Sequence, residues 1–264
     1  MNFQFLITFI LPVLAGVMYF AMAVEVRRTS KFRSIMFGDI GFKKIEIAFT
    51  LFGIYFITRP LQNILGPYPM PLIINCLRQF ILMAVIAPSI LVAIFHWVPT
   101  PSGAPRSSKF AAYAIGTLMG IIFVLLNTLA VTDSTVLSTW VGITLYDPVW
   151  FDSIKPSKQL ILIHLICQFV SPVGFLLLAA AYVRHRRHNY QLANIYNLIP
   201  TKWRYLEASL IILSVSFIIA GLTVLLSKYY SYIWVIYFVG AVISGFFEMK
   251  SVKLPPRNSP EDLK

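Results

Sequence analysis

Charged residues are scarce in this chain. Only 12% of its 264 residues are charged, whereas 58% are hydrophobic, and the mean hydropathy is +0.76. A soluble domain carries about 25% charged residues and roughly 45–50% apolar ones. So few charges cannot cover a surface that faces water. The composition argues against a soluble domain and predicts an integral, multi-pass membrane protein, in a cellular membrane that the composition leaves open.

Cysteine pairs and the common catalytic motifs are also lacking. The two cysteines, Cys76 and Cys167, both fall within apolar stretches, which argues against a disulfide framework or a structural zinc site. The chain contains no H-E-x-x-H, P-loop, G-x-S-x-G or G-x-G-x-x-G sequence, so the common hydrolase and nucleotide-binding mechanisms lack their parts. We therefore assign no metal site, no cofactor and no catalytic residue from the sequence.

Long apolar runs, in contrast, are abundant. Seven of them are long enough to cross about 30 Å of hydrocarbon as helices, which takes about 20 residues each. The predicted fold is an all-α bundle of seven transmembrane helices over residues 1–250, followed by a short polar tail at residues 251–264. The predicted spans are Phe3–Val24, Ile45–Leu65, Leu72–Trp97, Phe110–Thr132, Leu160–Val183, Leu206–Leu226 and Tyr232–Phe247.

Basic residues are distributed unevenly between the connections. Of the 22 Lys and Arg residues, seventeen fall after odd-numbered spans, three fall in the opposite connections, and two lie inside spans. Cytoplasmic connections are enriched in Lys and Arg, so the pattern predicts an N-terminus outside and a C-terminus in the cytoplasm. This bias, with attraction to anionic lipids, accounts for the formal charge of +12 without a nucleic-acid partner.

The two arginines inside spans, Arg59 and Arg78, are the strongest functional signal. A charged side chain at the bilayer centre costs at least about 2.5–3.5 kcal/mol on insertion scales. Arg59, Gln62 and Asn63 share a helix face because they are spaced i, i+3 and i+4. Asn75 and Arg78 lie in the next span, which runs in the opposite direction and brings them to a similar depth.

Spans four and five add three polar residues at the same predicted level, Asn127, His164 and Gln168. Polar groups at membrane depth face the bundle interior or a water-filled cavity, and the planar guanidinium fork suits bidentate capture of a carboxylate or phosphate. We therefore predict an outward-facing polar cavity that binds a ligand through Arg59, Gln62, Asn63, Asn75, Arg78, Asn127, His164 and Gln168. In the competing interpretation, each arginine reaches the headgroups or pairs with a loop aspartate.

The connection Asp133–Lys158 is long and mixes aromatic with polar residues. Such a segment is typical both of a passive interfacial strap and of a lid over an outer pocket, and the sequence favours neither. Beneath the predicted cavity, apolar residues from three spans are expected to close the path inward. They are Val85, Phe175 and Leu213.

The leading functional hypothesis is a seven-helix receptor or sensor-like module for a small anionic or amphiphilic ligand, with the lipid bilayer around it and a cytoplasmic signalling partner. The alternatives are a transporter or channel for a small anion and a small intramembrane enzyme that acts on a lipid-soluble substrate. Retinal proteins need a lysine in the last span, and Tyr232–Phe247 has none. Ile94-Phe-His-Trp97 lacks the acidic-arginine motif of G-protein-coupled receptors. The chain is similar to the seven-helix input domains of bacterial sensor kinases in size and topology alone.

Overall fold

A computed structural model describes residues 3–37, 40–97, 106–131, 134–148, 158–192, 198–222 and 230–252. Within these ranges the chain forms seven helices and one β-hairpin. Helices α1, α3 and α5 each contain a π-helical segment. Helix α1 spans residues 3–37 and has the π segment Leu6–Ile10. Helix α3 spans residues 70–97 and has the π segment Leu82–Ile86. Helix α5 spans residues 158–192 and has the π segment Phe169–Gly174. The others are α2 (Ile40–Ile64), α4 (Arg106–Ala130), β1 (Ser134–Trp140), β2 (Ile143–Pro148), α6 (Leu198–Gly221) and α7 (Tyr230–Val252).

Six of these helices are long and apolar enough to cross a membrane. Helix α2 is not among the six, and its second half carries the polar residues Arg59, Gln62 and Asn63. The chain is therefore an integral, multi-pass membrane protein, and the predicted all-α class is confirmed apart from the short hairpin.

The helices run further than the predicted spans at the ends that carry basic residues. Helix α1 continues to Phe37, α5 to residue 192 and α7 to Val252. Hydropathy detects only the apolar part of a helix, and polar residues extend it into the interface without a change in backbone conformation. Nearly all of the predicted polar tail lies outside the described residues.

Each π-helical segment contains a proline or ends two residues before one. Pro12, Pro88 and Pro172 have no N–H group, so the carbonyls of Thr8, Ala84 and Gln168 lose their usual helical partner. A single wider turn accommodates such a defect inside a long helix. Proline does not require a π segment, because Pro60 lies inside α2 without one.

Six helices form a closed ring, in the order α1, α2, α3, α5, α6, α7, and α7 contacts α1 again. Helix α4 packs outside this ring against α3 and α5. Glycines on α4 allow the close approach: a Cβ at Gly116 would lie 2.4 Å from the Met83 carbonyl oxygen of α3, and one at Gly120 would lie 2.9 Å from Phe80. Small residues bring helices together in membranes in this way.

Buried aromatic side chains fill the middle of the ring. Tyr19 of α1 lies 4.6 Å from Phe52 and 5.5 Å from Phe56 of α2, measured between ring centroids. Tyr237 of α7 lies 5.9 Å from Phe56 and 5.4 Å from Phe217 of α6. Aromatic pairs at such distances stabilise beyond their buried area, by about 0.5–1.5 kcal/mol each. These rings lock four helices into one apolar layer.

The β-hairpin occupies part of the long connection Asp133–Lys158, for which no strand was predicted. Its strands pair antiparallel, and the turn residues Val141 and Gly142 have φ values of 48° and 78°, as a two-residue hairpin turn requires. The hairpin packs against the N-terminal end of α1, the C-terminal end of α2 and the start of α3. We call this end of the bundle the hairpin end and the opposite one the basic end.

Candidate functional site

Arg78 is enclosed by α2. Its exposed fraction is 5%. Its Nε and Nη2 donate to the backbone carbonyl of Tyr55 at 3.1 and 2.9 Å, and its Nη1 donates to Oε1 of Gln62 at 2.7 Å. Nε also lies 3.2 Å from Oγ1 of Thr58, and the guanidinium carbon lies 4.5 Å from the centre of the Tyr55 ring. The planar guanidinium of Arg78 therefore joins α3 to α2 through the geometry of its hydrogen bonds as well as through its charge.

The Tyr55 carbonyl accepts from more than one side chain. Besides the two bonds from Arg78, it accepts from the hydroxyl of Thr58 at 3.0 Å. Pro60, further along α2, has no N–H group and therefore removes the usual helical donor of the neighbouring Phe56 carbonyl.

Arg59 lies one turn from Tyr55 and contacts α7. It has an exposed fraction of 5%, and its guanidinium carbon lies 4.6 Å from the centre of the Trp234 ring. Trp234 is in the first turns of α7, near the hairpin end. A ring stack of this kind engages the face of the guanidinium, whereas its N–H groups lie in the guanidinium plane. An anion that approaches in this plane is compatible with the stack.

Asn63 connects the arginine face of α2 to the hairpin. It is fully buried, and its Nδ2 donates to the backbone carbonyl of Tyr146 in β2. Its Oδ1 accepts no hydrogen bond from any described residue. Buried polar atoms are nearly always hydrogen-bonded, so an unpartnered one calls for a bound water or ligand. Because Asn63 is i+4 from Arg59, this oxygen shares the arginine's helix face.

Gln79, which follows Arg78 on α3, is a second buried amide. Nε2 of Gln79 donates to the hydroxyl of Tyr55 at 3.3 Å, and its Oε1 accepts no hydrogen bond from the described part of the chain. Two amide oxygens without a donor among the described residues thus lie on helices α2 and α3. We name Tyr55, Arg59, Gln62, Asn63, Arg78 and Trp234 the arginine cluster.

The other predicted ligand-binding residues lie elsewhere. Asn127 and His164 are buried between α4 and α5: the amide of Asn127 donates to the carbonyl of Phe123 at 2.8 Å, and the ring of His164 lies 5.0 Å from that of Phe123. Gln168 is half-buried on α5 and its Cβ faces Gly221 of α6. Asn75 is half-buried on α3. These contacts place the α2 and α3 residues in one group and the α4 and α5 residues in another, and ligand binding by the eight residues stays a prediction.

The expected floor of the cavity was wrong at one of three positions. Phe175 and Leu213 are buried in the core, whereas Val85 has an exposed fraction of 37%. Val85 lies in the π segment Leu82–Ile86. A wider turn displaces the following residues around the helix axis, so the face that α-helical periodicity assigned to Val85 is not the face that it occupies.

In the competing interpretation, the arginines pair with loop aspartates, whose side chains are not described by the structure. Asp133, Asp152 and the side chain of Asp147 lie outside the described residues. Burial to 5% does contradict the form of this interpretation in which the arginines extend into lipid or headgroups.

Sequence reasoning missed the aromatic partners of both arginines. Trp234 reads as part of an interfacial aromatic belt, and Tyr55 reads as an ordinary core residue. A usable signal was present, because Tyr55 lies four residues before Arg59 in the same span and Trp234 lies near the start of the seventh span. Arginine in an apolar setting commonly stacks on such rings.

Scans against models of protein families, curated proteins and solved structures found no match to this chain. Function is therefore inferred from the chain's own residues.

Proposed function

We propose that this protein is a seven-helix receptor or sensor-like module that binds a small anionic or amphiphilic ligand at the hairpin end. In this proposal all seven helices cross the membrane, the N-terminus and the hairpin are outside, and the C-terminus is in the cytoplasm. The asymmetry of basic residues supports the orientation. Helix α2 crosses despite Arg59 because this side chain is enclosed by protein and not by lipid.

One observation carries the binding proposal: Arg59 and Asn63 lie one helical turn apart, both buried, beneath the hairpin. A guanidinium such as that of Arg59 is suited to binding a carboxylate or phosphate. The unpartnered Oδ1 of Asn63 offers an acceptor for a hydroxyl or amine. A ligand with an anionic group and a neighbouring donor satisfies both. The guanidinium of Arg78 is hydrogen-bonded to Gln62 and to the Tyr55 carbonyl, and so it positions this face of α2.

The hairpin supports access from the outer side. It is held to α2 by Asn63 and to the turn before α3 by a hydrogen bond of 2.8 Å from the backbone N–H of Tyr68 to Oγ of Ser134. The side chain of Leu145 in β2 is also fully buried, so opening the hairpin would expose apolar surface. In this proposal the hairpin acts as a lid over the site and not as a passive strap.

The layer below the arginine cluster favours a receptor over a carrier. The fully buried rings of Phe52, Phe56, Phe238 and Tyr237 occupy the bundle centre. Moving an anion through such a layer without replacement ligands is very costly. In reconstituted liposomes we therefore expect ligand binding without flux. Saturable movement of the probe anion that Arg59→Ala abolishes would establish a transporter instead.

Thermal unfolding of the protein in nanodiscs tests the site itself, because a ligand that binds only the native state raises the midpoint. The probes are a hydroxycarboxylate, its analogue without the hydroxyl, a long-chain fatty acid and inorganic phosphate. We expect an anionic probe to stabilise the wild type and the exposed-site control Arg204→Gln, but not Arg59→Gln. Arg59→Lys should weaken binding about tenfold or more, since a charge-assisted bond is worth about 1.5–3 kcal/mol.

Asn63→Leu separates the two halves of the proposed site. This variant removes the acceptor but keeps the arginine, so it should reduce the preference for the hydroxycarboxylate over its analogue. The proposal is wrong if no anionic probe raises the midpoint, or if the rise is the same in Arg59→Gln and in wild type.

A further inference from the structure

Glu248 is a buried carboxylic acid near the basic end of the bundle. From the sequence it falls just beyond the last predicted span, where an acidic side chain would be solvated. In the structure α7 continues past it to Val252, and its exposed fraction is only 1%. An ionisable residue enclosed within a membrane helix is costly and is functional more often than not.

A chain of hydroxyl groups leads from Glu248 into the core. The side chain of Ser209 on α6 lies within interaction range of the Glu248 carboxyl. Oγ of Ser209 lies 2.9 Å from Oγ of Ser244, one turn before Glu248, and Ser244 also donates to the Ser209 carbonyl at 3.1 Å. The hydroxyl of Tyr19 on α1 donates to Oγ of Ser244 at 3.5 Å. Four oxygen-bearing side chains thus connect α7, α6 and α1.

The second carboxyl oxygen has no such contact. Oε2 of Glu248 accepts no hydrogen bond from a described residue, and the carboxyl borders a small cavity. The cavity's other walls come from α2, α3 and α6 and are entirely apolar. They are formed by Ile45, Ala48, Phe49, Ile90, Ile94 and Leu206.

No described cation neutralises this carboxyl. The nearby titratable group on α1 is the phenol of Tyr19. On α6, Glu207 is paired with Arg187 of α5 at 3.1 Å. On α7 itself, the ammonium of Lys250 lies over the rings of Tyr205 and Phe246, at 5.6 and 4.7 Å from their centres. The faces that α2 and α3 turn to the cavity carry no ionisable side chain.

This environment fits the neutral acid and not the carboxylate. A buried carboxylate needs a cation or several donors, and without them a carboxyl group in a protein neutralises instead. The neutral form supplies its own donor, and an O–H is matched by serine hydroxyls that both donate and accept. A displacement of α7 from α6 and α1 would break the serine contacts and admit water, which stabilises the charged form.

We propose that Glu248 is a proton-binding site, loaded when α7 packs against α6 and α1 and emptied when α7 moves away. The ligand is one proton, and no bond other than the carboxyl O–H forms or breaks. The packed arrangement is therefore favoured as the pH falls and weakened as the pH rises. The site lies at the opposite end of the bundle from the arginine cluster and does not depend on ligand binding there.

Infrared spectroscopy of the full chain in nanodiscs tests the proposal. We expect the carbonyl band of a neutral carboxylic acid at neutral pH, its loss in Glu248→Gln, and its retention in the control Glu207→Gln. Ser209→Ala, which removes one hydrogen bond, should move the band to higher frequency without abolishing it. If Glu248→Gln does not fold, isotope-edited spectra of the wild type and Ser209→Ala still decide. A missing band at neutral pH, a band unchanged in Glu248→Gln, or a band insensitive to Ser209→Ala would overturn the proposal.

Discussion

Replacing Arg78 distinguishes a residue held by fork geometry from one that supplies only charge. Its guanidinium makes four hydrogen bonds to three acceptors on α2. At the roughly 0.6 kcal/mol average measured for such bonds in membrane proteins, they contribute about 2 kcal/mol. At the roughly 1.5 kcal/mol lower value for bonds to charged groups in soluble proteins, they contribute about 6 kcal/mol. Because Arg78→Met also removes a buried charge, we expect a loss of about 2–3 kcal/mol for that variant.

Arg78→Lys provides the sharper comparison. A lysine ammonium keeps the charge but is a compact donor without the planar fork. It cannot bond the Tyr55 carbonyl twice and Gln62 as well, so we expect Arg78→Lys to be destabilised at least as much as Arg78→Met. Reversible unfolding in mixed detergent micelles measures both variants, with the exposed Arg204→Lys as the control.

A double-mutant cycle refines the assignment to one contact. Combining Arg78→Met with Gln62→Leu should reveal a coupling free energy above the roughly 0.3–0.5 kcal/mol expected for independent sites, because Nη1 of Arg78 and Oε1 of Gln62 are 2.7 Å apart. Stability of Arg78→Lys within about 0.5 kcal/mol of wild type, together with no measurable coupling, would refute this account of the cluster.

Three further predictions concern packing, charge and topology. Gly116→Val should lose about 1–3 kcal/mol by overpacking, because its Cβ would lie 2.4 Å from a carbonyl oxygen of α3; Leu118→Val, at an exposed position of α4, controls for this in the same unfolding assay. Burial, and then the charge of Lys109, hold the pKa of Lys44 below its ordinary value. Because the folded state binds this proton less tightly than the unfolded state, the Lys44 charge disfavours folding at neutral pH, and the effect fades as the pH rises; Lys109→Gln should raise the pKa of Lys44 in an NMR titration. A cysteine at the exposed hairpin tip, Val141→Cys, should react with an impermeant maleimide from outside the cell, and labelling only after permeabilisation would reverse the proposed orientation.

Much of the fold could be predicted because apolar runs alone determine where helices cross a bilayer. Their ends could not, since polar residues extend α1 and α5 as helix beyond the hydrocarbon. The three π segments were not predicted, and the expected burial of Val85 was therefore wrong. Pro12, Pro88 and Pro172 were the available signal for these segments. The hairpin was not predicted because its strands contain aromatic and apolar residues, as an interfacial loop does. The β-branched residues of Ser134–Trp140 were the available signal.

The polar residues of the candidate site could be predicted from the sequence, but the groups that they contact could not. Spacing of i, i+3 and i+4 indicated that Arg59, Gln62 and Asn63 share a face, and all three are buried. The main acceptor for Arg78 is a backbone carbonyl, and carbonyls carry no residue-specific signal. Depth alone also could not separate the α2 and α3 residues from Asn127 and His164, because residues at one level of a bundle can lie on different sides of a helix.

Arginine NMR on the nanodisc-embedded protein tests the central claim most directly, since it observes the proposed anion-binding group itself. Selective ¹⁵N labelling of arginine gives an Nε–H resonance for Arg59, which Arg59→Gln assigns by its absence. The probe is the anion that stabilises the protein most in thermal unfolding. We predict that this resonance shifts progressively and saturably as the probe is added, while that of Arg204 does not move. A resonance of Arg59 that stays in place at probe concentrations that stabilise the protein would show that the anion binds elsewhere and would contradict the proposed site.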